Sequence, residues 1–265
     1  MVRVRRTALL VLLSVVLFSC SIPAFPSCEI DPRALGRGTA YTALAEGSLA
    51  PFWNPAGATA APGVHGAFAA GLSPNGTLLL LGAAIAAANS PTVIWNMAQN
   101  GNEGEILGTF AFFLFPRTAL GGGVSYAFSD EPEGISFHIG FLHREPHWKF
   151  GASLSHLGAG IFGAALPLQF RAGGALYTLP GVTLTLDLHL SPAGSRVAIG
   201  GAAQIWRVKI RWGTAVLLTG GFDRVGIGVG FNLFDLPIDL AIGVVGNDLS
   251  PCASLGIEAA IPAWW

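Results

Sequence analysis

The chain has 265 residues, of which 52% are hydrophobic and 11% charged, with a formal net charge of −1. Soluble domains carry about 25% charged residues, and a charge near zero leaves no global field to attract nucleic acid or another polyanion. Beyond the N-terminus the longest apolar run is Leu78 to Ala88, short of the roughly 18 residues that a spanning helix requires. A membrane-crossing chain of this kind must therefore form a closed barrel, because backbone polar groups in lipid need partners.

The N-terminus supplies an address. Arg3, Arg5 and Arg6 precede an apolar stretch from Ala8 to Phe18, then small and turn-forming residues. This is the pattern of a secretory signal peptide, placed at residues 1–24 with cleavage between Ser19 and Cys28. Leu17-Phe18-Ser19-Cys20 offers the alternative of a lipoprotein signal in which Cys20 is acylated. Cys28 and Cys252 then remain, either as a bridge permitted in an oxidising periplasm or as two thiols.

Residues 29–62 carry the most specific motif. Asp31-Pro32-Arg33-Ala34-Leu35-Gly36-Arg37-Gly38-Thr39-Ala40-Tyr41-Thr42-Ala43-Leu44-Ala45 is followed by Ser48-Leu49-Ala50-Pro51-Phe52-Trp53-Asn54-Pro55-Ala56-Gly57. This pattern resembles the start of the long-chain fatty-acid transporter (FadL-like) superfamily of outer-membrane proteins, including its PorV/PorQ-type branch and related spirochaete barrels. The resemblance implies a fourteen-stranded barrel with this segment folded inside as a hatch. Physically, Gly36 and Gly38 permit tight backbone turns. Asn54 before Pro55 favours extended or turn geometry and can cap local backbone groups. Phe52 and Trp53 are apolar bodies able to pack on a lumen lined with Gly and Ala. Gly36, Gly38, Phe52, Trp53, Asn54, Pro55 and Ala56 form the expected hatch motif.

From Val64 onward the sequence returns repeatedly to period-two alternation. Val182, Leu184, Leu186, Leu188 and Leu190 oppose Thr183, Thr185, Asp187, His189 and Ser191. Arg207 to Leu217, Phe222 to Leu233, and the runs from Trp148 and Leu168 behave alike, with Lys149, Ser153, Gln169 and Arg171 on the polar side. Each lasts about ten residues, the length of a tilted strand crossing a bilayer. Glu145-Pro146, Leu179-Pro180-Gly181, Ser191-Pro192-Ala193-Gly194 and Asp235-Leu236-Pro237 punctuate them as hairpins. The chain closes on Ala253, Leu255, Ile257, Ala259, Ile261, Ala263 and Trp265 sharing one face, an amphipathic strand ending on an interfacial aromatic.

These signals predict an all-β, transmembrane antiparallel barrel of about 12–14 strands over residues 63–265. Ala86 to Glu105 and His156 to Leu166 stay unassigned. A soluble sandwich also alternates, but its solvent face would carry more charge. Here the second face holds Gly121, Gly123, Gly200, Gly226, Gly228 and Gly230, as suits a narrow or plugged lumen where other backbone comes close.

Covalent chemistry is poorly supplied. Ser153, Ser155, His156, His138 and His189 are the candidates for an outer-membrane lipid hydrolase. Alternation places His156 on the apolar parity and Ser155 on the other, and G-x-S-x-G is absent. His143 and His147 share a hairpin without further ligands, so no metal site is expected, nor any cofactor or catalytic residue. Arg171, Arg196, Arg207, Lys209, Arg211 and Arg224 share the inward parity against Asp187, Asp239 and Glu258. They either brace the barrel through cross-lumen pairs or form a basic wall that steers an anionic headgroup.

The reading is a non-enzymatic barrel in the bacterial outer membrane, surrounded by outer-membrane lipid. What the resemblance implies is passage of hydrophobic or amphipathic small molecules such as fatty acids. The alternative is a PorV-like scaffold that binds secretion-system proteins; a lipid hydrolase ranks third, and nucleic acid is not a partner.

Overall fold

The computed structural model describes residues 31–59, 63–73, 76–86, 92–100, 103–128, 134–158, 167–192, 194–234, 236–246 and 250–262. The expected signal peptide, Cys20, Cys28 and the terminal Trp264-Trp265 lie outside them. So does any Cys28–Cys252 pairing; Cys252 itself is buried on the last strand.

Fourteen antiparallel strands form a closed barrel: β1 Gly63–Ser73, β2 Gly76–Ala86, β3 Thr92–Asn100, β4 Glu103–Phe115, β5 Thr118–Phe128, β6 Gly134–Arg144, β7 Trp148–Leu157, β8 Gln169–Leu179, β9 Val182–Leu190, β10 Arg196–Ile205, β11 Val208–Leu217, β12 Phe222–Leu233, β13 Leu236–Val245 and β14 Ser250–Pro262. Each pairs with its sequence neighbours, and β1 pairs with β14 in unbroken register from Gly63↔Pro262 to Leu72↔Ala253. Closure leaves no edge strand, the condition that lipid imposes.

The unassigned stretch from Ala86 to Glu105 contains β3 and the start of β4. In sequence, both parities of Thr92 to Asn100 mix apolar and polar residues, which hides a period of two. Fourteen strands fit into a short chain because the connections are brief. At the end shared by Gly63 and Pro262, adjacent strands are joined by two-residue gaps at 116–117, 180–181, 206–207 and 234–235. The opposite end carries the longest gap, 158–168. The opposite end also has two-residue gaps at 74–75 and 101–102, and the first end a five-residue gap at 87–91, so the connections are shorter at the first end on balance; in outer-membrane barrels the short turns face the periplasm.

Strand alternation sorts side chains by solvent. On β9, Thr183, Thr185, Asp187 and His189 are buried, whereas Leu184, Leu186 and Leu190 are exposed outward. On β12, Arg224 is buried, and Val225, Ile227 and Val229 point out. Exposed Phe110, Phe112, Ile139, Ile199, Ile210, Trp212 and Ile242 extend the same apolar surface around the barrel. Such a surface is incompatible with water as the outer solvent and is suited to hydrocarbon. Ile227, midway along β12 between Trp212 and Ile242, should be among the costliest sites for charge. Ile227→Arg is expected to destabilise the barrel by about 2–4 kcal/mol, read from denaturant titration in lipid vesicles against Ile227→Leu.

Candidate functional site

The lumen is occupied by the chain's own residues 31–59. Pro32–Leu35 forms one helical turn, capped where the Asp31 carboxylate accepts from the Arg33 N–H. Two short 3-10 turns follow, Ala50–Phe52 and Pro55–Ala58. Asn54 caps the second, its Oδ1 accepting from Ala56 N at 3.1 Å, the local role its position before Pro55 suggests. Ala34, Tyr41, Ala45, Ala50 and Trp53 bury one another in a small core. Trp53 meets Tyr41 edge-on at 5.8 Å.

The inward glycines mark where this segment touches the wall. A Cβ at Gly226 would meet the Leu35 carbonyl, one at Gly213 the Arg37 carbonyl, and one at Gly121 the Pro55–Ala56 backbone. Gly200 faces the Arg37 carbonyl, and Gly228 would bring a Cβ within 3.2 Å of Gly36 Cα. Gly140 and Gly151 approach Asn54 and Thr42 in the same way. Gly123 and Gly230 differ: their space is taken by wall side chains, Leu107 and Thr109 at the first, Asp239 and Arg211 at the second. Gly38 combines a close approach to Thr214 with φ of +57°, so any side chain there is both crowded and strained.

Polar contacts pin the segment. Asp187 Oδ2 accepts from Tyr41 N at 3.0 Å and Thr42 N at 2.6 Å, and Gly173 opposite leaves room for that carboxylate. Asn54 Nδ2 donates to the Phe141 carbonyl at 2.9 Å, and Ser153 Oγ to the Trp53 carbonyl at 2.8 Å. Arg171 Nη1 donates to the Phe52 carbonyl at 2.8 Å, its guanidinium 5.0 Å from the Trp53 ring. Arg33 Nη1 reaches Glu258 at 3.0 Å.

Glu46 lies 2.9 Å from Arg144 Nε and 2.8 Å from Lys149 Nζ. Burial alone would raise its carboxyl, but Lys149 and then Arg144 outweigh that and hold it below the usual range. The bridge therefore contributes above the ordinary glutamate value and fades as pH falls through the lowered one.

The six basic residues do not form one wall. Arg171 serves the segment as described. Arg196 and Arg224 gather around Asp223 near the loop end, at 3.7 and 2.7 Å. Arg211 pairs with Asp239 at 2.6 Å near the turn end. Arg207 lies in the two-residue turn between β10 and β11 and is exposed, because the turn takes the position that simple alternation assigned to the lumen. Arg207, Lys209 and Arg211 instead line a cavity of about 600 Å³ together with Trp206, Phe231, Phe234 and Ile238. That joins cationic and apolar groups at one mouth of the barrel.

A second grouping contradicts the parity assigned to His156. Between β6 and β7 the register shifts: Phe137 pairs with Leu157 but Ile139 with Leu154. Ser155 and His156 thus oppose His138 alone, and His156 has φ of +61°. The extra residue is a β-bulge, which re-aims a side chain. His156 turns inward, its ring 5.1 Å from that of His138. His138 Nε2 lies 2.8 Å from Ser125 Oγ and 3.4 Å from Glu105 Oε1; His156 Nε2 lies 3.5 Å from the same oxygen. Ser125 and Ser136 are also hydrogen-bonded, at 2.8 Å. Gly158, directly after the strand, is also left-handed at φ +74°.

The arrangement does not make a hydrolytic triad. A triad histidine uses opposite ring nitrogens for nucleophile and carboxylate, whereas Ser125 and Glu105 both approach Nε2 of His138. Among the other candidates, Ser153 is committed to the Trp53 carbonyl, and His189 lies 3.6 Å from Asp187. In the hairpin, His143 contacts Thr118 and Glu145, while His147 is exposed.

No protein-family model matches the chain, and no curated protein matches its sequence. Solved structures do resemble its fold. A FadL homologue from Pseudomonas aeruginosa superposes with a TM-score of 0.60 at 10% identity, covering 90% of this chain and 97% of that one. Two mutants of Rh. blastica porin are also similar, with TM-scores of 0.46 and 0.45 at 13% and 12% identity, each comparison covering 75% of this chain and 99% of the porin. The fold is that of an outer-membrane-type antiparallel β-barrel.

Proposed function

We propose that the protein is an outer-membrane barrel that passes hydrophobic or amphipathic small molecules, with residues 31–59 acting as its hatch. The observation that carries this reading is a wall contoured to a self-packed segment, beside a mouth where Lys209 and Arg211 meet Trp206, Phe231 and Phe234. A permanently water-filled pore needs neither feature. Because the segment has its own small core, it can shift as a unit once its polar pins release. The cavity falls in the size range of ligand sites, about 300–1,000 Å³. Its mixed lining suits a long-chain carboxylate, with the head on the cations and the tail on the aromatics. A periplasmic position for this mouth is supported by the short turns beside it, since short turns face the periplasm in outer-membrane barrels.

The double variant Arg207→Glu/Lys209→Glu reverses charge at the mouth and leaves the Arg211–Asp239 pair intact. Binding of a fluorescent long-chain fatty acid to the detergent-solubilised barrel should weaken about 10-fold or more, or about 1.4 kcal/mol. A neutral alcohol of equal chain length should bind unchanged. Equal carboxylate affinity in both proteins would remove the basic mouth from the reading.

A scaffold for secretion proteins is the second reading. It is favoured by Trp206 and Phe234, 94% and 88% exposed at the turn tips, although a membrane interface also accommodates such aromatics. Stoichiometric recovery of a secretion complex with the intact barrel would move the assignment there.

A further inference from the structure

We propose that Glu105, His138 and His156 form a lumen-facing site for one divalent transition-metal cation of the Zn²⁺ class. The three side chains come from β4, β6 and β7, and one ligand atom from each lies within 4.8 Å of the others. Ligand bonds of about 2.0–2.1 Å put neighbouring atoms of a tetrahedral zinc site about 3.3 Å apart. The two ring-nitrogen-to-carboxylate distances are 3.4 and 3.5 Å, close to that edge.

The polar accounting points the same way. Glu105 Oε1 is buried and accepts no hydrogen bond, although two imidazole nitrogens flank it. Such an orphan acceptor is costly, and a cation between the three atoms would satisfy it. His156 Nδ1 lies 3.1 Å from the Pro167 carbonyl. A carbonyl only accepts, so Nδ1 carries the proton, and in the neutral ring Nε2 presents its lone pair toward Glu105. A ring nitrogen donating to a backbone carbonyl while the other ligates is the usual support of a metal-bound histidine. His156 sits in left-handed backbone at φ +61°, a strained conformation for a non-glycine residue, and it is this conformation that aims the ring at the cluster.

Donor chemistry selects the cation. Two imidazoles and one carboxylate without thiolate suit Zn²⁺ and its neighbours, whereas Mg²⁺ and Ca²⁺ favour all-oxygen sets. A water completes the fourth position, and the Ser125 hydroxyl, hydrogen-bonded to His138 Nε2 at 2.8 Å in the metal-free cluster, turns to its other partner, Ser136, when that nitrogen ligates. The site lies at the loop end, away from the basic mouth, so it stands apart from the transport reading. Bound metal would clamp β4, β6 and the β7 bulge together.

The test uses the full mature barrel, untagged, solubilised and stripped with chelator. Titration with Zn²⁺ should show one ion bound per barrel. Co²⁺ should give the visible bands of a four-coordinate nitrogen/oxygen site and be displaced by Zn²⁺. Glu105→Gln and His156→Ala should each weaken Zn²⁺ at least about 100-fold, while His143→Ala and His147→Ala should not. Retained heat-modifiable electrophoretic migration shows that each variant is folded. Absence of Zn²⁺ binding and of the Co²⁺ spectrum in the wild-type barrel would overturn the proposal. So would Zn²⁺ affinity unchanged in folded Glu105→Gln; the cluster would then be a protonated His–Glu–His ion group.

Discussion

Deleting residues 31–59 while keeping the signal sequence should convert a closed barrel into an open pore. In planar bilayers the intact protein is expected to show little or no steady conductance, because the segment's backbone lies directly against the inward glycines of β5, β6, β7, β10, β11 and β12. The deletion variant should conduct in stable, large steps. The barrel should survive the deletion, because all fourteen strands still find their neighbours and the lipid-facing surface is untouched. Its wall would carry newly wetted charges, Asp187, Arg171 and Arg211 among them, which a water-filled lumen readily solvates. Equal conductance before and after deletion would mean that the segment does not govern permeation.

The second large effect is expected at Asp187. Its carboxylate accepts two backbone N–H bonds from Tyr41 and Thr42, at a point 1% exposed. Hydrogen bonds to a charged group each contribute about 1.5–3 kcal/mol. Asp187→Ala removes both and leaves two buried donors unmet. The middle of the segment should therefore loosen by about 3 kcal/mol or more, roughly a 100-fold or greater rise in its released population. Hydrogen exchange at Tyr41 and Thr42 reads this directly, and brief channel openings should appear in bilayers. The barrel's own denaturation midpoint should move less, because Asp187 contacts the segment rather than a neighbouring strand's backbone. Unchanged exchange at both amides would show that the segment is held elsewhere.

Much of this architecture was legible because lipid-facing strands obey a strict rule. On β9, and on β12 from Arg224 to Gly230, the alternation in sequence is the alternation in burial. Gly121, Gly200, Gly226 and Gly228 were legible as places where other backbone approaches, whereas Gly123 and Gly230 on the same face make room for wall side chains. What escaped was whatever broke the period of two. β3 went unassigned because both of its parities are chemically mixed. His156 was assigned to the wrong side because one extra residue in β7 inverts everything beyond it, and a bulge is a property of pairing rather than of a single strand. Glu105 sat in the unassigned stretch, so its meeting with His138 and His156 could not be anticipated. Arg207 was misplaced by a related effect, a strand beginning one residue later than its alternation. Contacts such as Asp187 with Tyr41 join residues far apart in sequence, and no local pattern encodes them.

The seam between β1 and β14 has a consequence for how the molecule is assembled. Hydrogen-bonded strands lie about 4.8 Å apart, far too close for a folded knot of chain holding Trp53 and Tyr41 to slip between them. Only residues 60–62 separate that knot from the first strand, a leash too short to let it wander far from the rim. The interior must therefore be filled before the last strand locks onto the first, or from the open end beside it. Topology thus leaves two routes of construction, contents seated before the cylinder zips shut or threaded in through its rim, and excludes entry through the wall.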